Sequence, residues 1–205
     1  MIRVGLTGGI GSGKSRLASL LRVRGIPVFD CDERAGILMN SDVSLQNEIN
    51  GVTGQDMFPN GRIDRIKMAS FLFASAENAS LINGIVHPAV LGEFKKWCEE
   101  LAADAVEVCA IESAILFEAG LRPYVDLTVA VDAPDNIRLE RAVLRDRSSR
   151  DKIMERMRAQ KAQCDVVAMS DYVIDNSGDE NRLAAEADKL IEYITIKYIN
   201  RCIKK

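Results

Sequence analysis

Gly8-Gly9-Ile10-Gly11-Ser12-Gly13-Lys14-Ser15 is a complete G-x-x-x-x-G-K-[ST] phosphate-binding loop, and it narrows the fold of this chain more than any other stretch. By average composition about one chain in a hundred of this length carries the bare pattern by chance, so its flanks decide whether it is real. Before it, Ile2-Arg3-Val4-Gly5-Leu6 alternates apolar side chains as a buried strand does. After it, Leu17, Leu20 and Leu21 recur at helical spacing. The loop therefore stands between a strand and a helix N-terminus, where glycines turn backbone N–H groups toward phosphate oxygens and the helix dipole adds positive charge. Lys14 can reach the β- and γ-phosphates, and the Ser15 hydroxyl can hold Mg²⁺.

The rest of the chain supplies an α/β context. Gly25 to Phe29 reads as a second strand that ends in Asp30-Cys31-Asp32. If the strand persists, both carboxylates face one side; the other reading is that one of them caps the next helix. Residues 33–103 read as helix, with a turn at Phe58-Pro59-Asn60-Gly61 and a helix from about Asp64 that puts Ala69, Leu72 and Phe73 on one face. Pro88 is expected to kink or restart the helix that carries Leu81, Ile85, Leu91, Phe94 and Trp97. The single histidine, His87, fits a structural role as well as a catalytic one. Ala105 to Ile111 is a third strand running into Glu112, which is either a plain polar strand end or a carboxylate for Mg²⁺. Val125 to Val131 is a fourth strand, and Pro134 opens a helix through about Asp146. Arg138, Arg141 and Arg145 share a face of it, either solvated or closing over a triphosphate. Tyr172 to Ile174 is a fifth strand ending in Asp175-Asn176, and a helix from Asn181 to Ile203 closes the chain.

This order predicts an α/β P-loop kinase fold, a parallel five-stranded sheet flanked by helices. The expected division is one domain with a core at 1–32, 104–136 and 170–205, a helical acceptor-binding insertion at 33–103 and an arginine-rich lid at 137–169. The chain has 205 residues and is 47% hydrophobic, enough for such a domain. A net charge of −3, from 27 basic and 30 acidic residues, argues against nucleic acid as a partner. Cys31, Cys98, Cys109, Cys164 and Cys202 are odd in number and form no C-x-x-C pair, which argues against a disulfide framework or zinc site and for a reducing cytoplasm. The N-terminus enters a strand at once, leaving no room for a signal peptide, and no apolar run approaches a membrane span.

The ordered set of motifs resembles the dephospho-CoA kinase family over nearly the whole chain. It comprises Gly5 to Ser15, Asp30-x-Asp32, Gly61-Arg-Ile-Asp-Arg65, His87-Pro88, Ile115-Leu-Phe-Glu118, Arg141 with Arg145-Asp146, Arg156 with Gln160, and Asp175-Asn176. The family usually has Pro where Ala114 stands, Asp where Glu112 stands, and often Gln where Arg138 stands. The resemblance implies transfer of the ATP γ-phosphoryl group to the ribose 3′-hydroxyl of dephospho-CoA, giving CoA and ADP. It implies that Asp32 is the general base and that Lys14, Arg141 and Arg145 act on the transferring group. ATP would be held by Gly8 to Ser15 with Arg141 and Asn176, the last near the adenine. CoA would be held by Asp32, Arg65, His87 and Phe117, and Mg²⁺ by Ser15 and Glu112, directly or through water. The expected assembly is a monomer or small homo-oligomer with neither nucleic-acid nor membrane partners. Another small-molecule kinase is the alternative enzyme. A GTPase switch would need an N-K-x-D motif, which the sequence lacks, and its one D-x-x-G, Asp175 to Gly178, falls too late in the chain.

Overall fold

A computed structural model describes residues 1–199, and in it the chain forms two compact units. One comprises Met1–Phe29 with Ala102–Lys205, the other Asp30–Leu101. The first is built on strands β1 (Ile2–Thr7), β2 (Val28–Asp30), β3 (Val108–Glu112), β4 (Leu127–Asp132) and β5 (Tyr172–Asp175). They lie in the order β2-β3-β1-β4-β5. β1 runs parallel to β3, with Ile2 opposite Val108 and Leu6 opposite Glu112, and parallel to β4, with Val4 opposite Leu127. β4 runs parallel to β5, with Val129 opposite Tyr172. A parallel sheet covered on both faces needs apolar runs in its central strands. Val4, Leu6, Leu127, Val129 and Val131 are accordingly buried.

Helices α1 (Lys14–Val23), α6 (Asp135–Asp146), α7 (Arg150–Arg158), α8 (Gln163–Met169) and α9 (Glu180–Ile194) belong to this unit. α9 places Leu183, Ala187, Leu190 and Ile194 on one stripe, and that stripe packs with Leu17 and Leu21 of α1 in the core. Each such leucine removed from water contributes roughly 1.5–3 kcal/mol. The closing helix is shorter than its periodicity predicts. It ends at Ile194 in a π-helical turn, Thr195–Ile199, and the remaining predicted residues to Ile203 lie outside those described.

The second unit is helical: α2 (Cys31–Ser41), α3 (Val43–Thr53), α4 (Arg65–Ala74) and α5 (Ala76–Ala103). Asp30, Asp42 and Asp64 cap α2, α3 and α4, each accepting two backbone N–H groups. Such caps contribute about 1 kcal/mol apiece. α5 does not restart at Pro88 but runs through it, and the carbonyl that Pro88 leaves without an intrahelical donor belongs to Gly84, an exposed residue open to water. On α4 the buried position is Met68, while Phe73 is 82% exposed. The helix turns Phe73 away from the face that Met68 occupies.

Candidate active site

The loop between β1 and α1 holds three glycines at positive φ, Gly8, Gly11 and Gly13. A Cβ on any of the three would meet another atom at 2.6 Å or less. A Cβ on Gly11 would lie 2.0 Å from the carbonyl oxygen of Arg138, and one on Gly13 would lie 2.0 Å from Nδ2 of Asn176. These close approaches pull two loop carbonyls outward. Arg138 Nε donates to the Ile10 carbonyl at 3.1 Å, and Asn176 Nδ2 donates to the Ser12 carbonyl at 2.7 Å. In a planar trans peptide the following N–H points the opposite way, so Gly11 and Gly13 turn their N–H groups to the other side. Among the described residues nothing accepts from the N–H groups of Gly11, Gly13, Lys14 or Ser15. Four donors at a helix N-terminus make an anion site.

Beside the loop is a cavity of about 180 Å³ bounded by Gly11, Gly13, Lys14, Ser15, Arg141 and Arg145. Glu112 ends β3 at the carboxyl edge of the sheet, only 4% exposed. Its Oε1 accepts from Ser15 Oγ at 2.5 Å and lies 3.7 Å from Lys14 Nζ. A hydroxyl and a carboxylate are hard oxygen donors of the kind Mg²⁺ takes alongside nucleotide phosphates and water, so the residues present fit that ion.

Arg138 and Arg141 of α6 face the loop and the turn after β5, while Arg145 stands exposed beside the cavity at the loop. Arg138 is 4% exposed, paired with Asp135 at 2.9 Å, and burial lowers the pKa of its guanidinium. Arg141 donates to the carbonyls of Asn176 at 2.9 Å and Gly178 at 3.1 Å. Arg145 donates to Asp146 at 2.7 Å, and Arg156 of α7 donates to the same carboxylate at 2.6 Å. The bond from Arg145, ahead of that from Arg156, holds the Asp146 pKa down to about 2. The Asn176 side chain, expected near the adenine, is occupied by the loop carbonyl of Ser12.

In the helical unit the strand does not persist through the Asp30-Asp32 pair. The chain turns into α2 at Cys31, and Asp30 accepts from the N–H groups of Asp32 and Glu33 at 3.0 Å. Capping is thus the role of Asp30, while Asp32 stands exposed on the first helical turn. Asp32 and Arg65 line one cavity of about 540 Å³ with Glu33 and Asn40. His87 lies half-buried in α5, where desolvation lowers its pKa. Phe117 stands partly buried on the 114–120 turn after β3. Neither lines the cavity at Lys14 or the one at Asp32. Two residues absent from the expected site touch the loop directly, Gln160 and Gln163, bonded to the N–H groups of Ile10 and Gly9. Gln160 carried a family signal only, and Gln163 carried none.

Residues 2–181 match the family described as dephospho-CoA kinase. A dephospho-CoA kinase of Bacteroides fragilis is 38% identical over 204 residues, covering 100% of this chain and 98% of that one. A Thermus thermophilus crystal structure superposes with a TM-score of 0.79 at 29% identity, covering 95% of this chain and 98% of that one. The dephospho-CoA kinase of Campylobacter jejuni shares the fold, with a TM-score of 0.69 at 20% identity over 94% of this chain and 96% of that one.

Proposed function

The chain belongs to the dephospho-CoA kinase family, whose members use ATP to phosphorylate dephospho-CoA in the last step of coenzyme A biosynthesis, and from that premise we propose how its own residues divide the work. The open N–H groups of Gly11, Gly13, Lys14 and Ser15 hold the ATP phosphates, and the Lys14 ammonium neutralises charge on the transferring group. Mg²⁺ held by Ser15 and Glu112 would screen the same charge when bound. Arg141 and Arg145 act on the phosphoryl group as it moves, since donors fixed at the place where charge is shared stabilise the transition state most. Residues 137–169 serve as the lid, and the adenine lies by the Asn176–Gly178 turn that Arg141 holds.

Residues 33–103 form the acceptor-binding insertion, with Arg65, His87 and Phe117 contributing to the hold on CoA. Asp32 orients the ribose 3′-hydroxyl. That oxygen attacks the γ-phosphorus, the bond from phosphorus to the β,γ-bridging oxygen breaks, the hydroxyl proton passes to the Asp32 carboxylate, and ADP leaves. Among the described residues no helix is long and apolar enough to cross a membrane, and the cytoplasm is the compartment we assign. One observation carries the reading: four open loop N–H groups, Lys14, Arg141 and Arg145 bound one cavity. The test is purified protein with ATP, Mg²⁺ and a panel of acceptor alcohols, with products read by mass spectrometry. Phosphate should appear on dephospho-CoA. Equal use of adenosine would move the protein to general small-molecule kinases.

A further inference from the structure

The N–H groups of the phosphate loop are engaged differently, that of Ser12 within the loop itself by the Gly9 carbonyl at 3.1 Å. Those of Gly11, Gly13, Lys14 and Ser15 have no acceptor among the described residues, while Gly9 and Ile10 donate to side chains from far along the chain. Gly9 donates to Gln163 Oε1 at 2.9 Å, and Ile10 donates to Gln160 Oε1 at 2.9 Å. Gln163 is itself held, because its Nε2 donates to the Val131 carbonyl at 3.0 Å and to Asp132 Oδ1 at 2.9 Å, at the end of β4. The Ile10 side chain completes the attachment by packing against Leu139 of α6 and Ile153 of α7. The peptides on both sides of Ile10 are therefore held, one through its N–H by Gln160 and the next through its C=O by Arg138.

We propose that Gln160 and Gln163 are positioning residues for ATP. They occupy two loop N–H groups that do not serve the ligand, and so keep the four open ones aimed at the phosphates. A glycine-rich loop rotates its peptide planes at little steric cost. Each plane couples the C=O of one residue to the N–H of the next. Releasing the Gly9 and Ile10 N–H groups lets those planes turn and scatters the donors that follow. Holding them removes that freedom before ATP arrives, which is preorganisation of the kind that raises affinity without a new ligand contact. Gln160 stands between α7 and α8 and Gln163 opens α8, so the loop is set by the segment that follows Arg156 and its helix.

The proposal rests on the reading that the loop holds ATP, and the test separates the two. Gln160→Met and Gln163→Met keep chain length and remove the strong acceptor. Each should raise KM for ATP by roughly fivefold or more while leaving KM for dephospho-CoA within about twofold, the size expected for one lost hydrogen bond acting on one substrate. Amide hydrogen exchange across Gly9 to Gly13 should speed up in the nucleotide-free protein. Unchanged ATP constants overturn the proposal, as do ATP and acceptor constants that rise together, or a lowered Tm with both KM values kept. Lys14→Ala runs in the same assay. ATP affinity lost there but kept in both glutamine variants overturns the positioning role alone. ATP affinity kept in all three overturns the assignment of the loop, and this proposal with it.

Discussion

Replacing Glu112 by Gln should move ATP binding and metal dependence in opposite directions. Glu112 is buried, and one of its oxygens meets both Ser15 Oγ at 2.5 Å and Lys14 Nζ at 3.7 Å. For the 3.7 Å pair an effective dielectric constant of about 20 gives roughly 4.5 kcal/mol of attraction, a ceiling because water competes in the free enzyme. The hydrogen bond from Ser15 to a charged acceptor contributes about 1.5–3 kcal/mol more. ATP without metal must draw Lys14 away from that carboxylate and must approach its negative charge. Glutamine removes both obstacles while keeping the side-chain shape. If about a third of the ceiling is realised, metal-free ATP should bind on the order of tenfold more tightly. The variant has also lost the anionic oxygen that supports a hard cation at Ser15. The Mg²⁺ concentration for half-maximal activity should therefore rise by about tenfold or more, with kcat at saturating Mg²⁺ lowered by roughly a hundredfold. Calorimetry with ATP in excess chelator reads the first quantity, and a Mg²⁺ titration of initial rates reads the second. Weaker metal-free binding would refute the electrostatic argument, and an unchanged Mg²⁺ titration would refute the metal assignment.

Other residues make separate predictions. Asp32→Asn should still bind ATP and dephospho-CoA but lower kcat by roughly 10² or more, and full activity by steady-state kinetics would remove Asp32 as the base. Gly13→Ala places a Cβ 2.0 Å from Asn176 Nδ2 at a φ of +100°. Left-handed strain together with loss of the bond from Asn176 to Ser12 should cost about 2–3 kcal/mol, lowering Tm by roughly 4–12 °C. Arg145 and Arg156 depress the Asp146 pKa to about 2, below its ordinary 3.8. The stability this pair contributes is present above about pH 4 and is lost as pH falls toward 2. Thermal melting from pH 7 to pH 2 should show Asp146→Asn losing less stability over that acid range than the parent, and parallel curves would refute the linkage.

The sequence by itself determined the phosphate loop, the strands that flank and follow it, Lys14 and Ser15 at the helix start, and Glu112 at the end of a core strand. These are local: each depends on residues within a few positions, through hydrophobic period, glycine spacing and helix capping. The same locality explains Asp30, whose two readings only the structure separated, because the chain leaves the strand one residue later and the carboxylate meets the orphan N–H groups of α2. Tertiary structure alone decided the rest. Arginine spacing on α6 marks a shared face, but whether that face meets water or backbone depends on what lies opposite, and the Ile10 carbonyl opposite Arg138 comes from 128 residues away. The side chains that set the loop, Gln160, Gln163 and Asn176, reach it across 150, 154 and 164 positions. A glutamine that accepts from a loop N–H and one that faces solvent look alike in sequence. Only the closing of the sheet around β1 and β4 brings the acceptor to the donor.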